Sequence, residues 1–201
     1  MQLPITKGHV TVGVVAYDQI DDLDFFGAWS VLAKAAQASA CDSSAAFRVH
    51  IVGAHNAFLT SSGLSVSVPA EVPPDRLDAV LVPGGTGAIA AAQRSDLRDL
   101  LVRYQRDGSR CYTICSGALL LAAAGLLTDR SVSIHAAKRE ALRLAGAGTV
   151  TRGLRRDGWL TSIGGSMAPG VKGVDIGFIV VGDLRPDLLD SLRSRMEIGE
   201  S

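Results

Sequence analysis

Cys115 stands where one apolar run ends and another begins, in Tyr112-Thr-Ile-Cys115-Ser116-Gly117-Ala-Leu-Leu-Leu. An apolar strand, a cysteine, Ser-Gly and then a helix is the pattern of a nucleophile elbow, which presents a side chain at the strand's C-terminal end. There the helix points free N–H groups and its positive dipole end at a thiolate, which lowers a thiol pKa. Gly117 suits close approach of that helix to the sheet, and Ser116 can cap it or hydrogen-bond a ligand. A free cysteine is also commonly a small buried hydrophobe, and the elbow pattern alone does not separate the two readings.

Val80-Leu-Val-Pro83-Gly84-Gly85-Thr-Gly87 ends another apolar run with bare backbone amides, fit for an oxyanion hole facing the elbow. It also reads as Gly85-x-Gly87-x-x-Ala90, a dinucleotide fingerprint. The acidic residue that fingerprint needs is missing from the next strand's end, where Cys115 stands instead. A plain Gly-rich turn into a helix is equally compatible. Asp21, Asp22 and Asp24 lie between the first strand and helix, where one could act as acid or base, but helix capping could explain any of the three and is the reading the residues alone favour. His135 follows the short strand after the elbow helix and could approach Cys115 as a base, or be a satisfied, partly buried histidine. His9, His50 and His55 have no metal-ligand spacing.

Strands must carry these residues to one edge. His9 to Ala16 is a nearly continuous β-branched run, as in a strand buried on both faces. A helix from Asp24 to Gln37 places Phe25, Trp29, Leu32 and Ala36 at helical spacing. Strands are expected at Phe47–Val52, Asp78–Pro83, Arg110–Ile114 and Ser131–Ile134, with an edge strand at Leu64–Val68 stopping at Pro69. Helices are expected from Ala88 to Gln105, Ser116 to Leu127, Ala136 to Leu144 and Leu188 to Met196. Asp157-Gly158 marks a hairpin turn, and an apolar segment runs from Val174 to Val181. The alternation predicts an α/β fold: a three-layer α/β/α sandwich around a mostly parallel sheet, flavodoxin-like, with a cysteine nucleophile elbow. Without repeat, low-complexity tract or linker, residues 1–201 read as a single domain.

Of the 201 residues, 47% are hydrophobic and 20% charged, which excludes a disordered chain. Twenty basic against twenty acidic residues leave no net charge, so neither nucleic acid nor an anionic membrane surface is the expected partner. Ala118 to Leu127 is the longest apolar stretch, far short of the roughly 20 residues that cross a bilayer. The N-terminus has no apolar signal core, and the expected compartment is the cytoplasm. Cys41, Cys111 and Cys115 suit neither a zinc site nor a disulfide framework. On one extended strand, with a rise of about 3.3 Å per residue, Cys111 and Cys115 lie too far apart to bridge.

Taken together, Leu23-Asp24-Phe-Phe-Gly27, Val82-Pro83-Gly84-Gly85, Ile114-Cys115-Ser116-Gly117-Ala118 and Ala-Ala-Gly-Leu-Leu127 resemble the ThiJ/PfpI superfamily of the class I glutamine amidotransferase-like fold. The resemblance runs from about Val10 to the chain end and is greatest to its isonitrile hydratase subgroup, which carries an Asp before the helix Gly, here Asp24. It implies that Asp24 is functional rather than only a cap, that Cys115 is a nucleophile, and that the protein is a homodimer. Two features depart from the subgroup: Ala136-Ala137 replaces an aromatic after His135, and the Gly-rich segment Gly164 to Asp175 is longer.

The expected chemistry is addition of water to an isonitrile, giving an N-substituted formamide through a Cys115 thioimidate with Asp24 as acid/base. Gly84, Gly85, Gly117 and His135 are the expected oxyanion and substrate contacts. The Gly85 and Ser116 amides and the Ser116 hydroxyl would orient the intermediate. Neither metal nor organic cofactor is required, and the partner is a small-molecule substrate. Three alternatives use the same residues: glyoxalase-type thiol chemistry with His135 as proton shuttle, a specialised biosynthetic enzyme on a larger substrate, and a non-catalytic ligand or redox sensor. Related sensor domains precede helix-turn-helix modules, and none is expected in a chain ending at Ser201.

Overall fold

The first β-branched run folds as Val10–Val15 (β1), buried at all but one position because helices cover both faces of the strand. The computed structural model describes residues 8–40, 45–54, 56–69, 74–165 and 171–199. Cys41, His55 and part of the Gly-rich Gly164 to Asp175 segment lie outside the described residues. Asp22–Ser39 (α1) follows β1, and its cap is Asp21, whose carboxylate accepts from the Asp24 N–H at 3.0 Å. Then come Phe47–Val52 (β2), Ala57–Leu59 (β3), Ser65–Ser67 (β4) and Ala79–Val82 (β5).

The single helix expected from Ala88 to Gln105 is two, Ala88–Gln93 (α2) and Ser95–Arg106 (α3). Arg94 between them is extended, with its guanidinium on the Gly53 carbonyl and on Asp96. Arg110–Ile114 (β6) runs through a 3-10 turn, Cys115–Gly117, into Ala118–Ala123 (α4). That helix is shorter than the expected Ser116 to Leu127, since Gly125 turns left-handed just after it. The remainder is Ser131–Ser133 (β7), Arg139–Leu144 (α5), Thr149–Thr151 (β8), Gly153–Asp157 (β9), Leu160–Gly164 (β10), Lys172–Leu184 (α6) and Leu189–Met196 (α7). The stretch expected as one helix from Ala136 opens as a 3-10 turn, Ala136–Lys138, before α5.

The main sheet has the order β2-β1-β5-β6-β10-β9, parallel except for the antiparallel β9. Asp157 pairs with Leu160, so the expected hairpin closes through Gly158 and Trp159. The Leu64–Val68 expectation needs correction. Its strand, β4, pairs with β3 in a separate two-stranded ribbon, and β7 likewise pairs with β8 apart from the main sheet. Both partners, β3 and β8, are three-residue strands too short for a period to register.

Helices α1, α6 and α7 pack together in one layer, and α2, α3, α4 and α5 in another, giving the expected α/β/α sandwich. Strand order reverses between β1 and β5, because the chain leaves β1 toward β2 and returns on the other side. In open α/β sheets such a reversal opens a crevice at the strands' C-terminal ends. The segments after β1, β5 and β6 that carry Asp24, Gly84 and Cys115 all meet there.

Candidate active site

Cys115 has φ 55°, in the left-handed region that a side chain enters at a cost of about 1–3 kcal/mol. The strain comes from turning a strand sharply into a helix, and it holds the thiol out from the sheet edge, as the elbow reading expects. Gly117 lets the turn sit against the neighbouring strand: a Cβ there would lie 2.2 Å from the Val82 carbonyl oxygen. The Ser116 hydroxyl is buried and ties the elbow to the next loop, accepting from the Gly85 N–H and facing the Gly85 carbonyl, both at 2.9 Å.

Opposite Cys115 lies Asp24, only 7% exposed, its Oδ2 accepting from the Gly84 N–H at 3.2 Å. Gly84 separates the two groups. A Cβ at that position would stand 2.7 Å from both Asp24 Oδ2 and Cys115 Cβ, so only glycine leaves the carboxyl and thiol facing each other. The three acidic residues after β1 therefore divide their work. Asp21 caps α1, Asp22 holds Ser61 and Ser62 at the tip of the β3–β4 ribbon, and Asp24 faces the thiol.

Burial, reinforced by Asp21, raises the Asp24 carboxyl to about 7, against smaller lowering by the Gly84 N–H and Lys172. Burial, and then Asp24, push the Cys115 thiol up to about 11. This corrects the expectation of a lowered thiol pKa. The Ser116 N–H and Lys172 do act in the lowering direction, but desolvation beside a carboxylate outweighs them.

The Gly84 amide is engaged by Asp24 and the Gly85 amide by Ser116, while the Ser116 N–H favours the thiolate itself. His135 comes to the elbow through its backbone, its N–H 3.4 Å from the Cys115 carbonyl oxygen. Its exposed ring caps the following turn, with Nδ1 accepting from the Ala137 N–H at 3.2 Å. Two residues escaped sequence reasoning. Tyr17, buried just beyond β1, donates its hydroxyl to the Pro83 carbonyl at 2.8 Å, and its pKa is raised by burial, Asp24 and Cys115. Lys172 opens α6 beside Asp24. A buried tyrosine at a strand's C-terminal end was a legible signal, because its hydroxyl must find a partner; the placement of Lys172 depends on helix packing.

Among the described residues no group of three His, Cys, Asp or Glu is placed to hold a metal ion, and no helix is long and apolar enough to cross a membrane. Cys111 and Cys115 are free thiols, as their spacing predicts, and burial raises Cys111 to about 12.

Comparison with known proteins now decides the family: residues 10–169 match the DJ-1/PfpI family model. The chain belongs to the DJ-1/PfpI family. It is 31% identical over 177 residues to an isonitrile hydratase of Pseudomonas putida, a match covering 86% of this chain and 71% of that protein. In structure this DJ-1/PfpI chain is similar to a ThiJ/PfpI family protein from Pseudomonas syringae, with TM-score 0.79 and 21% identity over 96% of this chain and 77% of that one. It is also similar to Drosophila melanogaster DJ-1beta, with TM-score 0.76 and 18% identity over 96% of this chain and all of that one. These two likenesses establish the DJ-1/PfpI fold.

Proposed function

We propose that this protein is a cysteine-dependent enzyme that hydrates an isonitrile to an N-substituted formamide. One observation carries the reading: Asp24 and Cys115 face each other across Gly84, with Asp24 holding its proton to about pH 7. The similarity to the Pseudomonas putida isonitrile hydratase supports the choice of electrophile.

An isonitrile carbon becomes open to attack once it receives a proton. The two groups together supply one proton and one nucleophile, because each disfavours the other's ionisation. The Asp24 carboxylate takes the Cys115 thiol proton and passes it to the isonitrile carbon as the sulfur bonds to the same carbon, leaving a thioimidate and the Asp24 carboxylate. That carboxylate then takes a proton from water as the hydroxyl adds to the carbon. The nitrogen gains the proton back from Asp24, and as the formamide C=O forms the hydroxyl proton passes by way of Asp24 to the departing Cys115 sulfur, restoring thiol and carboxylate. The Ser116 N–H stabilises the sulfur whenever it carries charge. Ser116 and Gly117 keep the elbow in register, and Gly85 anchors the adjoining loop. One alternative is less well supported: glyoxalase-type chemistry would use His135 as proton shuttle, and its Nδ1 is engaged at a turn.

The test is incubation with an aryl and an alkyl isonitrile, following formamide by mass spectrometry. Turnover by wild type and its loss in Cys115→Ala and Asp24→Asn support the hydratase; no turnover by freshly reduced wild type refutes it for those substrates. The family resemblance also leads us to propose a homodimer, and a monomer in sedimentation analysis would overturn that.

A further inference from the structure

Tyr17 has no part in the reaction above, yet it is bonded to the peptide group that serves Asp24. Its hydroxyl donates to the Pro83 carbonyl oxygen at 2.8 Å, and the Gly84 N–H donates to Asp24 Oδ2 at 3.2 Å. That carbonyl and that N–H belong to one peptide unit. The unit is trans, so the two groups point in opposite directions, and Tyr17 and Asp24 hold it from its two sides.

Such a hold is needed at this point of the chain. Position 84 takes only glycine, because a Cβ there would stand 2.7 Å from both Asp24 Oδ2 and Cys115 Cβ and 2.9 Å from the Ser116 nitrogen. Glycine puts few limits on backbone rotation, and a rotated Pro83–Gly84 peptide would turn its carbonyl oxygen, not its N–H, toward the carboxylate. The peptide after Gly84 is fixed by the Asp21 N–H, which donates to the Gly84 carbonyl at 2.8 Å. Tyr17 does the same for the peptide before it. A donor on the carbonyl also polarises the peptide and strengthens its N–H as a donor in turn. Tyr17 is 1% exposed, so water does not compete for the bond.

We propose that Tyr17 is a positioning residue that locks the Pro83–Gly84 peptide with its N–H on Asp24, and so sets how readily Asp24 passes from acid to carboxylate. This rests on Asp24 and Cys115 sharing a proton, as in the reaction above, but not on the electrophile being an isonitrile. The ionisable groups facing Asp24 are Asp21 before α1, Tyr17 after β1, Cys115 at the elbow and Lys172 from α6. Tyr17 acts through the peptide, since burial keeps its hydroxyl protonated at neutral pH.

Iodoacetamide alkylation of Cys115 from about pH 5 to about pH 10 reads Asp24 without turnover. The Cys115 thiolate forms an S–C bond and iodide leaves. While Asp24 holds its proton the rate climbs with pH; once Asp24 ionises the rate levels off, until the thiol itself titrates. The start of the level stretch marks the Asp24 midpoint, and Asp24→Asn should lack it. Peptide mapping by mass spectrometry separates the cysteines, and labelling of buried Cys111 reports a misfolded variant.

In Tyr17→Phe, which keeps the ring, the level stretch is expected to start about 0.5–1 pH unit higher, the worth of one weakened hydrogen bond. The rate within it should be about three- to tenfold higher. Tyr17→3-fluorotyrosine, a stronger donor of the same shape, should move both the other way, and it decides the matter if Tyr17→Phe misfolds. In an Asp24→Asn background, Tyr17→Phe should leave the Cys115 rate unchanged. A wild type without a level stretch, an unmoved one in the folded Tyr17 variants, or equal acceleration in the Asp24→Asn background overturns the role. With an isonitrile, the acid limb of kcat/KM should move by the same amount as the level stretch. Absence of turnover with the alkylation shift intact refutes the hydratase and leaves the role of Tyr17 standing.

Discussion

Asp24 is costly to keep ionised, and that cost is measurable. Its carboxyl stands at about 7 in the folded protein against about 3.9 in an unfolded chain. Between those values the folded state binds the extra proton, so stability falls as pH rises from about 4 to about 7 and stays reduced above. The shift corresponds to a few kcal/mol, of order 4. Asp24→Asn removes the charge while keeping the shape, and is expected to be more stable than wild type at pH 8 by about 2–4 kcal/mol in urea unfolding. At pH 4.5 the gap should nearly close; an equal gap at both values would mean that Asp24 is not the titrating group. The same substitution removes the carboxylate that raises Cys115. Alkylation of Cys115 by iodoacetamide at pH 8 should therefore be several-fold faster in Asp24→Asn than in wild type. A variant at once more stable, more thiol-reactive and inactive in turnover would mark Asp24 as kept for chemistry.

The elements place these groups by close approach, and that explains what could be read in advance. Strands β1, β5 and β6 are apolar runs with abrupt ends, so the sequence shows both the strands and the residues they deliver, Asp24, Gly84 and Cys115. The direction of the Cys115 shift was not legible, because it depends on how deeply a through-space neighbour is buried. Nor was Lys172, whose position comes from the seating of α6 on α1: a Cβ on Gly173 meets the Leu23 carbonyl oxygen, and one on Gly177 would lie 2.8 Å from Val31 Cβ. The break at Arg94 depends on the Gly53 carbonyl, a partner 41 residues away. Gly173→Ala is expected to push α6 off α1 at a cost of about 1–3 kcal/mol. It should also lower turnover at least tenfold by displacing Asp24. Gly182→Ala, where a Cβ finds its nearest neighbour at 3.4 Å, should leave both nearly unchanged. Equal effects of the two substitutions would show that close packing at the site end of α6 does not position the pocket.

At the scale of the molecule, a single set of buried apolar side chains extends from Val10 in β1 to Leu192 in α7 and includes residues from both helix layers. The site is built on the same elements: α1 brings Asp24, β5 leads to Gly84, and β6 leads into Cys115. Site and core are therefore expected to unfold together, in one calorimetric transition. A ligand that binds only the folded chain then stabilises the whole molecule, by about 2.7 kcal/mol at 100 times its Kd. For a chain of this size that raises Tm by about 5–11 °C. Cys115→Ala allows the measurement, since it keeps the Asp24 side of the pocket but forms no thioimidate. Its Tm should rise with added isonitrile and keep rising with the logarithm of concentration beyond saturation, the signature of linkage to global unfolding. A Tm unmoved by the ligand, with binding shown independently, would mean that the crevice between β1 and β5 opens before the core melts.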